Sequence, residues 1–190
     1  MTLAEYISTH PGYRELENIH HPDPSLKISL VLVRTEFAEE ILHQLQANPE
    51  IGTLMGDDFS NLSLKGEQKR IEDIIKSIDE YSWYIKEHDS IIGNISINFI
   101  AEKTELHGVR TGSIAIIIWD KKFWNKKIAR NVNKAILDWA FDEGGFEMMV
   151  CRIFPHNLPS IKSFLALGFE EDGHETADGK FWNKYKITKK

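Results

Sequence analysis

Residues Thr111 to Trp119 read TGSIAIIIW, an apolar run in which polar and apolar positions do not alternate. A strand that is apolar on both faces must be covered on both, so the run predicts a central strand with layers above and below it. The residues that follow narrow the choice of fold. The stretch FWNKKIAR, Phe123 to Arg130, leads into a helical pattern that puts Ile128, Val132, Ala135, Ile136, Trp139 and Ala140 on one face. That helix is predicted to end near Gly144-Gly145. A strand passing through a tight loop into a helix presents unpaired N–H groups and about half a positive charge at the helix start, which suits an anion. Loops of this kind are usually glycine-rich. This one has no glycine and carries Lys126, Lys127 and Arg130.

The rest of the chain supplies layers for the central strand. KISLVLVR (27–34) reads as a strand, and Thr35 as the N-cap of a helix over EFAEEILHQLQAN. A second helix is expected over about Glu67–Glu80, with Ile71, Ile74, Ile75 and Ile78 on one face and PEIGTLMGDDFSNLS before it as loop. SWYIKEHD and SIIGNISINFI read as an antiparallel hairpin turning at His88-Asp89. MMVCRIF is another buried strand. NLPSIKSFLAL is a short helix with Asn157 at its N-cap, Pro159 in its first turn and Gly168 at its stop. The tail FEEDG…GKFWNKYKITKK closes as a hairpin. The fold class is therefore α/β: one domain over residues 27–190 on a mixed sheet, with residues 1–26 as an N-terminal extension packed against it.

Composition removes several classes of function. At 190 residues and 42% hydrophobic content, one domain of this size buries roughly 70% of its unfolded surface. No run approaches about 18 apolar residues, so no membrane span is expected. The start MTLAEYISTHPGYRELENIHH lacks a basic segment followed by an apolar block, so no secretory signal is expected either. A net charge of −6 argues against a nucleic-acid partner. One cysteine, Cys151, excludes a disulfide within the chain and fits a cytoplasmic location. The eight histidines show no metal-ligand spacing, and His20-His21 beside PDPS read as plain loop, so no metal is expected.

With these elements in order, FWNKKIARNVNKAILDWAFDEGGFEMMVCRIFPHNLPSIKSFLALGFEEDG resembles the GCN5-related N-acetyltransferases (GNAT), in particular their ribosomal-protein alanine acetyltransferase type. In that family an aromatic residue, Trp, Gly, Lys, Gly, a hydrophobic residue and Ala or Gly precede a long helix and a strand. Asn, a Ser three positions on, and LGF then follow. Phe123, Trp124, Lys126, Ile128, Ala129, Asn157, Ser160 and Leu167-Gly168-Phe169 match. The resemblance covers about Lys27 to Lys186. It implies a mostly antiparallel central sheet flanked by helices, with a V-shaped cleft for acetyl-CoA as co-substrate. The pantetheine arm would pair with the strand Ile116–Trp119, including Ile117 and Ile118. The pyrophosphate would sit on the loop and helix start formed by Trp124, Asn125, Lys126, Lys127, Ile128, Ala129 and Arg130. Asn157 is implied as a further cofactor residue, although capping is its simpler role.

Two family glycines are replaced, by Asn125 and Lys127. Asn tolerates positive φ. Lys127 either turns left-handed at a cost of roughly 1–2 kcal/mol or stays right-handed with its Cβ against the pyrophosphate. Cations at a helix start oppose its dipole, by about 0.3–1 kcal/mol each, until an anion binds.

Acyl transfer to an amine needs a neutral amine, a polarised thioester and a proton for the thiolate. The Tyr that many relatives use as proton donor is Phe164 here; the ribosomal-protein type implies Ser160 instead, whose other reading is a helix-start residue. Ile114 stands where that type often has a basic Glu. Glu102, Glu105 and His107 are nearby alternatives, or else part of a solvated hairpin loop. An α-amine, with a pKa near 7.7–8, is already roughly a tenth or more neutral at pH 7, whereas a lysine amine is not. The expected activity is acetyl transfer to a protein or peptide N-terminal amine by direct attack in a ternary complex, by a monomer or homodimer. The alternatives are a GNAT-fold binding protein without catalysis and an acetyltransferase for polyamines or aminoglycosides.

Overall fold

A computed structural model describes residues 10, 12–55, 59, 61–177 and 179–190; residues 1–9 and 11 of the expected extension lie outside them. Eight strands form one sheet in the order β1-β2-β3-β4-β5-β6-β8-β7. The strands are β1 (Leu16–Ile19), β2 (Ile28–Leu32), β3 (Glu80–Glu87), β4 (Ser90–Phe99), β5 (Thr111–Ile118), β6 (Met148–Ile153), β7 (Glu170–Ala177) and β8 (Lys180–Thr188). All neighbours are antiparallel except β5 and β6, which are parallel. The apolar run thus occupies the interior position its composition demands.

Helices cover the sheet unequally. Here α1 is Ala38–Ala47, α2 Glu50–Met55, α3 Leu64–Lys76, α4 Ala101–His107, α5 Ile128–Asp142 and α6 Leu158–Leu165. One apolar cluster joins Ile128, Val132, Ile136 and Trp139 of α5 to Ile114, Met149 and Cys151 beneath it. The other joins Ala38, Ile41 and Leu45 of α1 and Ile71 and Ile74 of α3 to Tyr84, Ile91 and Trp119, so α1 and α3 lie on the opposite face. Asn157 caps α6 through its side chain, which accepts from Ser160 N–H at 3.3 Å, and Phe169 packs on Phe164 at 5.0 Å beyond Gly168. These follow the sequence.

Four local expectations are corrected. Thr35 begins a 3₁₀ turn rather than capping α1. The helix α3 starts at Leu64, capped by Ser63, and stops at Lys76. Ile78 therefore lies beyond it and is exposed. The expected loop before α3 contains α2, and the expected hairpin loop around Glu102 is α4.

Residues 12–26, grouped in the sequence with the extension, contribute the edge strand β1. They are anchored by two buried indoles: Trp83 Nε1 donates to Arg14 O and Trp139 Nε1 to Gly12 O, each at 2.8 Å. The two rings meet edge-on at 4.9 Å, and Tyr13 packs on Trp83 at 4.8 Å. An indole in a core must place its N–H on an acceptor, so the same residues that fill the core also fix this segment.

Candidate active site

The parallel pair β5–β6 is short. Only Thr111, Gly112 and Ser113 pair, with Met148, Met149 and Val150. Beyond that point β5 runs on to Ile118, held by β4 alone, while β6 runs on to Ile153, held by β8. The two strands diverge, and among the described residues no strand lies against the β5 edge from Ile114 to Ile118. Ile116, Ile117 and Ile118 are half-buried there, and Ala115 is exposed.

The far end of β5 is fixed by tryptophans. Trp119 Nε1 donates to Ile91 O at 3.2 Å and Trp124 Nε1 to Ile118 O at 2.8 Å. Trp119 is buried, and Trp124 stands where strand gives way to loop, with Lys121 Nζ 6.0 Å from its ring centre. Asp120 begins the intervening turn by accepting Lys122 N–H. Then come two left-handed residues separated by one: Asn125 at φ 60° and Lys127 at φ 63°. They stand at the two positions where the sequence comparison expects glycine. The loop keeps the glycine backbone without glycine, and of the two possibilities for Lys127 it takes the strained one.

Lys127 is the N-cap of α5 and offers no side-chain acceptor to it. The first N–H groups of the helix therefore point outward from Ile128, Ala129 and Arg130 with their partial positive charge uncompensated. Lys126, Lys127 and Arg130 are exposed around them, and Ile128 is buried. A groove of about 510 Å³ continues along the helix, lined by Pro22, Lys127, Arg130, Lys134 and Ala166 among others. Arg130 spans it to donate to Ala166 O at 3.4 Å. His21, in irregular chain before Asp23, reaches this loop: its Nε2 lies 2.7 Å from Lys126 O. No three His, Cys, Asp or Glu side chains gather as metal ligands among the described residues.

The sheet face opposite α5 was not anticipated. Residues paired across strands share a face, which gives the rows Glu80–Asn98–Ser113, Ser82–Ser96–Ala115 and Tyr84–Asn94–Ile117 across β3, β4 and β5. Past Ser113 the same face continues with Val150 and Lys186, then Arg152 and Lys184. The alternation N-I-S-I-N in Asn94–Asn98 was the available signal. Asn94 Nδ2 donates to Ser82 Oγ at 3.0 Å and to Trp83 O at 2.8 Å. Glu80 is the carboxyl of these rows, and burial pushes its pKa up against the pull of Arg70. Ile114, by contrast, is buried under α5, so the residues β5 presents to this face beside the point of divergence are Ser113 and Ala115. Glu102, Glu105 and His107 are exposed on α4. Ser160 is half-buried in the first turn of α6 beside its capping Asn157.

Known proteins share this fold. The Bacillus licheniformis protein described as uncharacterized N-acetyltransferase p20 is 24% identical over 161 residues, covering 77% of this chain and 83% of that protein. The structure of Mycobacterium smegmatis RimJ in complex with CoA-disulfide superposes with a TM-score of 0.76 at 17% identity, over 94% of this chain and 90% of that one. The self-immunity acetyltransferase MccE, solved with acetyl-CoA and AMP, gives 0.72 at 20% identity, over 87% and 97%. The acetyltransferase (GNAT) domain matches residues 27–170. With its diverging parallel strands and anion-ready helix start, the chain belongs to the GNAT acetyltransferase family, whose members are acetyl-CoA-dependent acyltransferases.

Proposed function

We propose that this enzyme acetylates the N-terminal α-amine of a protein or peptide, with acetyl-CoA bound between β5 and the start of α5. The observation that carries the cofactor placement is the pair of left-handed residues, Asn125 and Lys127. Non-glycine residues persist in such conformations where the surroundings require them, and such strain clusters at ligand clamps. In this reading the N–H groups of Ile128, Ala129 and Arg130 bind the pyrophosphate, with Lys126, Lys127 and Arg130 adding charge. The free edge of β5 at Ile116–Trp119 receives the amide groups of the pantetheine arm. Trp124 holds the strand end in place, and Asn157 contributes through the geometry of α6.

Acetyl-CoA supplies an activated thioester. The acceptor amine attacks its carbonyl carbon, the C–N bond forms and the C–S bond breaks; the Ser160 hydroxyl gives its proton to the departing sulfur and is restored by the proton that the acylated nitrogen sheds. The first turn of α6 lends its dipole to that negative charge. The face beside the divergence presents Ser113 and Ala115 rather than a carboxylate. An amine that is already partly neutral, as an α-amine is, suits such a site better than a lysine side chain.

The test pairs two peptides at pH 7, one with a free N-terminus and no lysine, the other blocked at the N-terminus and containing lysine. Acetylation of the first alone is the expected result; acetylation of the second at an equal rate would overturn the assignment. Polyamines and aminoglycosides are polycations, and Arg152, Lys184 and Lys186 on the sheet face opposite α5 disfavour them.

A further inference from the structure

The cations of the sheet face opposite α5 are only partly offset by the carboxylates of β7. Arg152 and Lys184 stand directly opposite each other in the antiparallel pair β6–β8. Like charges at such positions repel. Lys186 follows two residues along β8, and Lys103 of α4 acts on the same two carboxylates, Asp172 and Glu175, as Lys184 does. Arg152 is bound to Glu175 at 2.7 Å and lies over the Trp182 ring at 5.6 Å; Lys186 is bound to Asp172 at 2.7 Å. Glu170 lies opposite Lys186 at the outer edge. Lys103 and Lys184 are half-buried and have no ion pair within 4.0 Å among the described residues. All this occurs on a chain whose net charge is −6.

Position gives the cations their meaning. Val150 is the last β6 residue paired with β5, and Arg152 is the next residue on that strand facing the same way. Two residues of strand span about 6.6 Å. A group bound by Arg152 and Lys184 is therefore a few bonds away from an amine placed where β5 and β6 part. Phe154 and Trp182, stacked at 3.7 Å, wall the far side and limit the size of what lies there.

We propose that the acceptor is anionic close to its reacting amine, as in a peptide whose second or third residue is Asp or Glu, and that Arg152 and Lys184 recognise that charge. The proposal rests on the N-acetyltransferase reading and specifies its substrate class. The carboxylate would neutralise the Arg152–Lys184 repulsion and form charge-assisted hydrogen bonds with both. A basic acceptor would meet an added positive charge instead.

The experiment uses two pentapeptide amides with the same first residue and either two acidic or two basic residues after it. Dissociation constants are measured by calorimetry with saturating CoA, and kcat/KM for acetylation with saturating acetyl-CoA. At least tenfold tighter binding and tenfold higher kcat/KM for the acidic peptide are expected. Lys184→Glu should remove or invert that preference, and Lys184→Gln should halve its logarithm if the charge reversal prevents folding. Equal treatment of the two peptides, or a preference unchanged in both variants, overturns the proposal. Tighter binding of the acidic peptide without acetylation of either would support the recognition and overturn the transfer reading.

Discussion

The imidazole of His21 holds the carbonyl of Lys126 at 2.7 Å across 105 positions of chain. Its Nδ1 accepts the N–H of Asp23 at 3.0 Å, so in the neutral ring the proton sits on Nε2 and is donated to Lys126 O. The residue between the two left-handed positions is thus restrained from outside the loop. His21→Ala should weaken acetyl-CoA binding about threefold to tenfold, consistent with one hydrogen bond of about 1 kcal/mol. Its melting temperature should change little, and calorimetry measures the affinity directly.

Lys127→Gly separates strain from charge. Glycine adopts φ 63° freely, so the variant should gain about 1 kcal/mol of stability, seen as a higher urea midpoint at constant slope. Acetyl-CoA affinity should nevertheless fall several-fold and respond less steeply to salt, because a cation beside the phosphates is gone. Tighter binding would mean that Lys127 crowds the site rather than serving it.

Ser160→Ala should lower kcat about tenfold to a hundredfold, within the usual range for a proton donor, and leave acetyl-CoA affinity unchanged. Asn157→Ala should act differently, costing about 1 kcal/mol of stability through the lost helix cap. Steady-state kinetics beside a thermal melt distinguishes the two.

Cys151 is 2% exposed, and burial pushes its thiol up to about 12. The thiolate is the reactive form, so native protein at pH 8 should resist iodoacetamide for hours and react fully in denaturant. Mass spectrometry gives the count, and rapid native labelling would refute the buried assignment.

Glu80 titrates above the ordinary carboxylate range because it is partly buried. An acid raised in the folded state holds its proton more tightly there than in the unfolded chain. Its contribution is complete below the ordinary pKa and is lost as pH rises through the raised one. Glu80→Gln should therefore raise the melting temperature at pH 8 and leave it nearly unchanged at pH 4.

What the sequence made legible follows from periodicity. β5, α5 and α6 were readable because apolar spacing, an Asn cap and a Gly stop each act locally. α2 and α4 were hidden because helices of six or seven residues hardly establish a period. β1 was hidden because an edge strand of four residues takes its stability from two distant indoles. The loop after β5 was legible as a strand-to-helix connection, but the handedness of Lys127 was not, since a left-handed backbone runs against that residue's own preference. The cationic patch was illegible for another reason: Arg152 and Lys184 become neighbours only through the pairing of β6 with β8.

Three rungs join the five strands on one side of the sheet to the three on the other. By hydrogen bonding this is a single sheet; by mechanics it is two plates with a short weld, the smaller one beginning at Met148. Prising the plates apart at the weld sacrifices few backbone bonds, whereas dividing the larger plate anywhere between β2 and β5, or the smaller one between its strands, sacrifices more. A cosubstrate lying along the bare edge of β5 would act as a splint across that break, stiffening the joint only while acetyl transfer is under way.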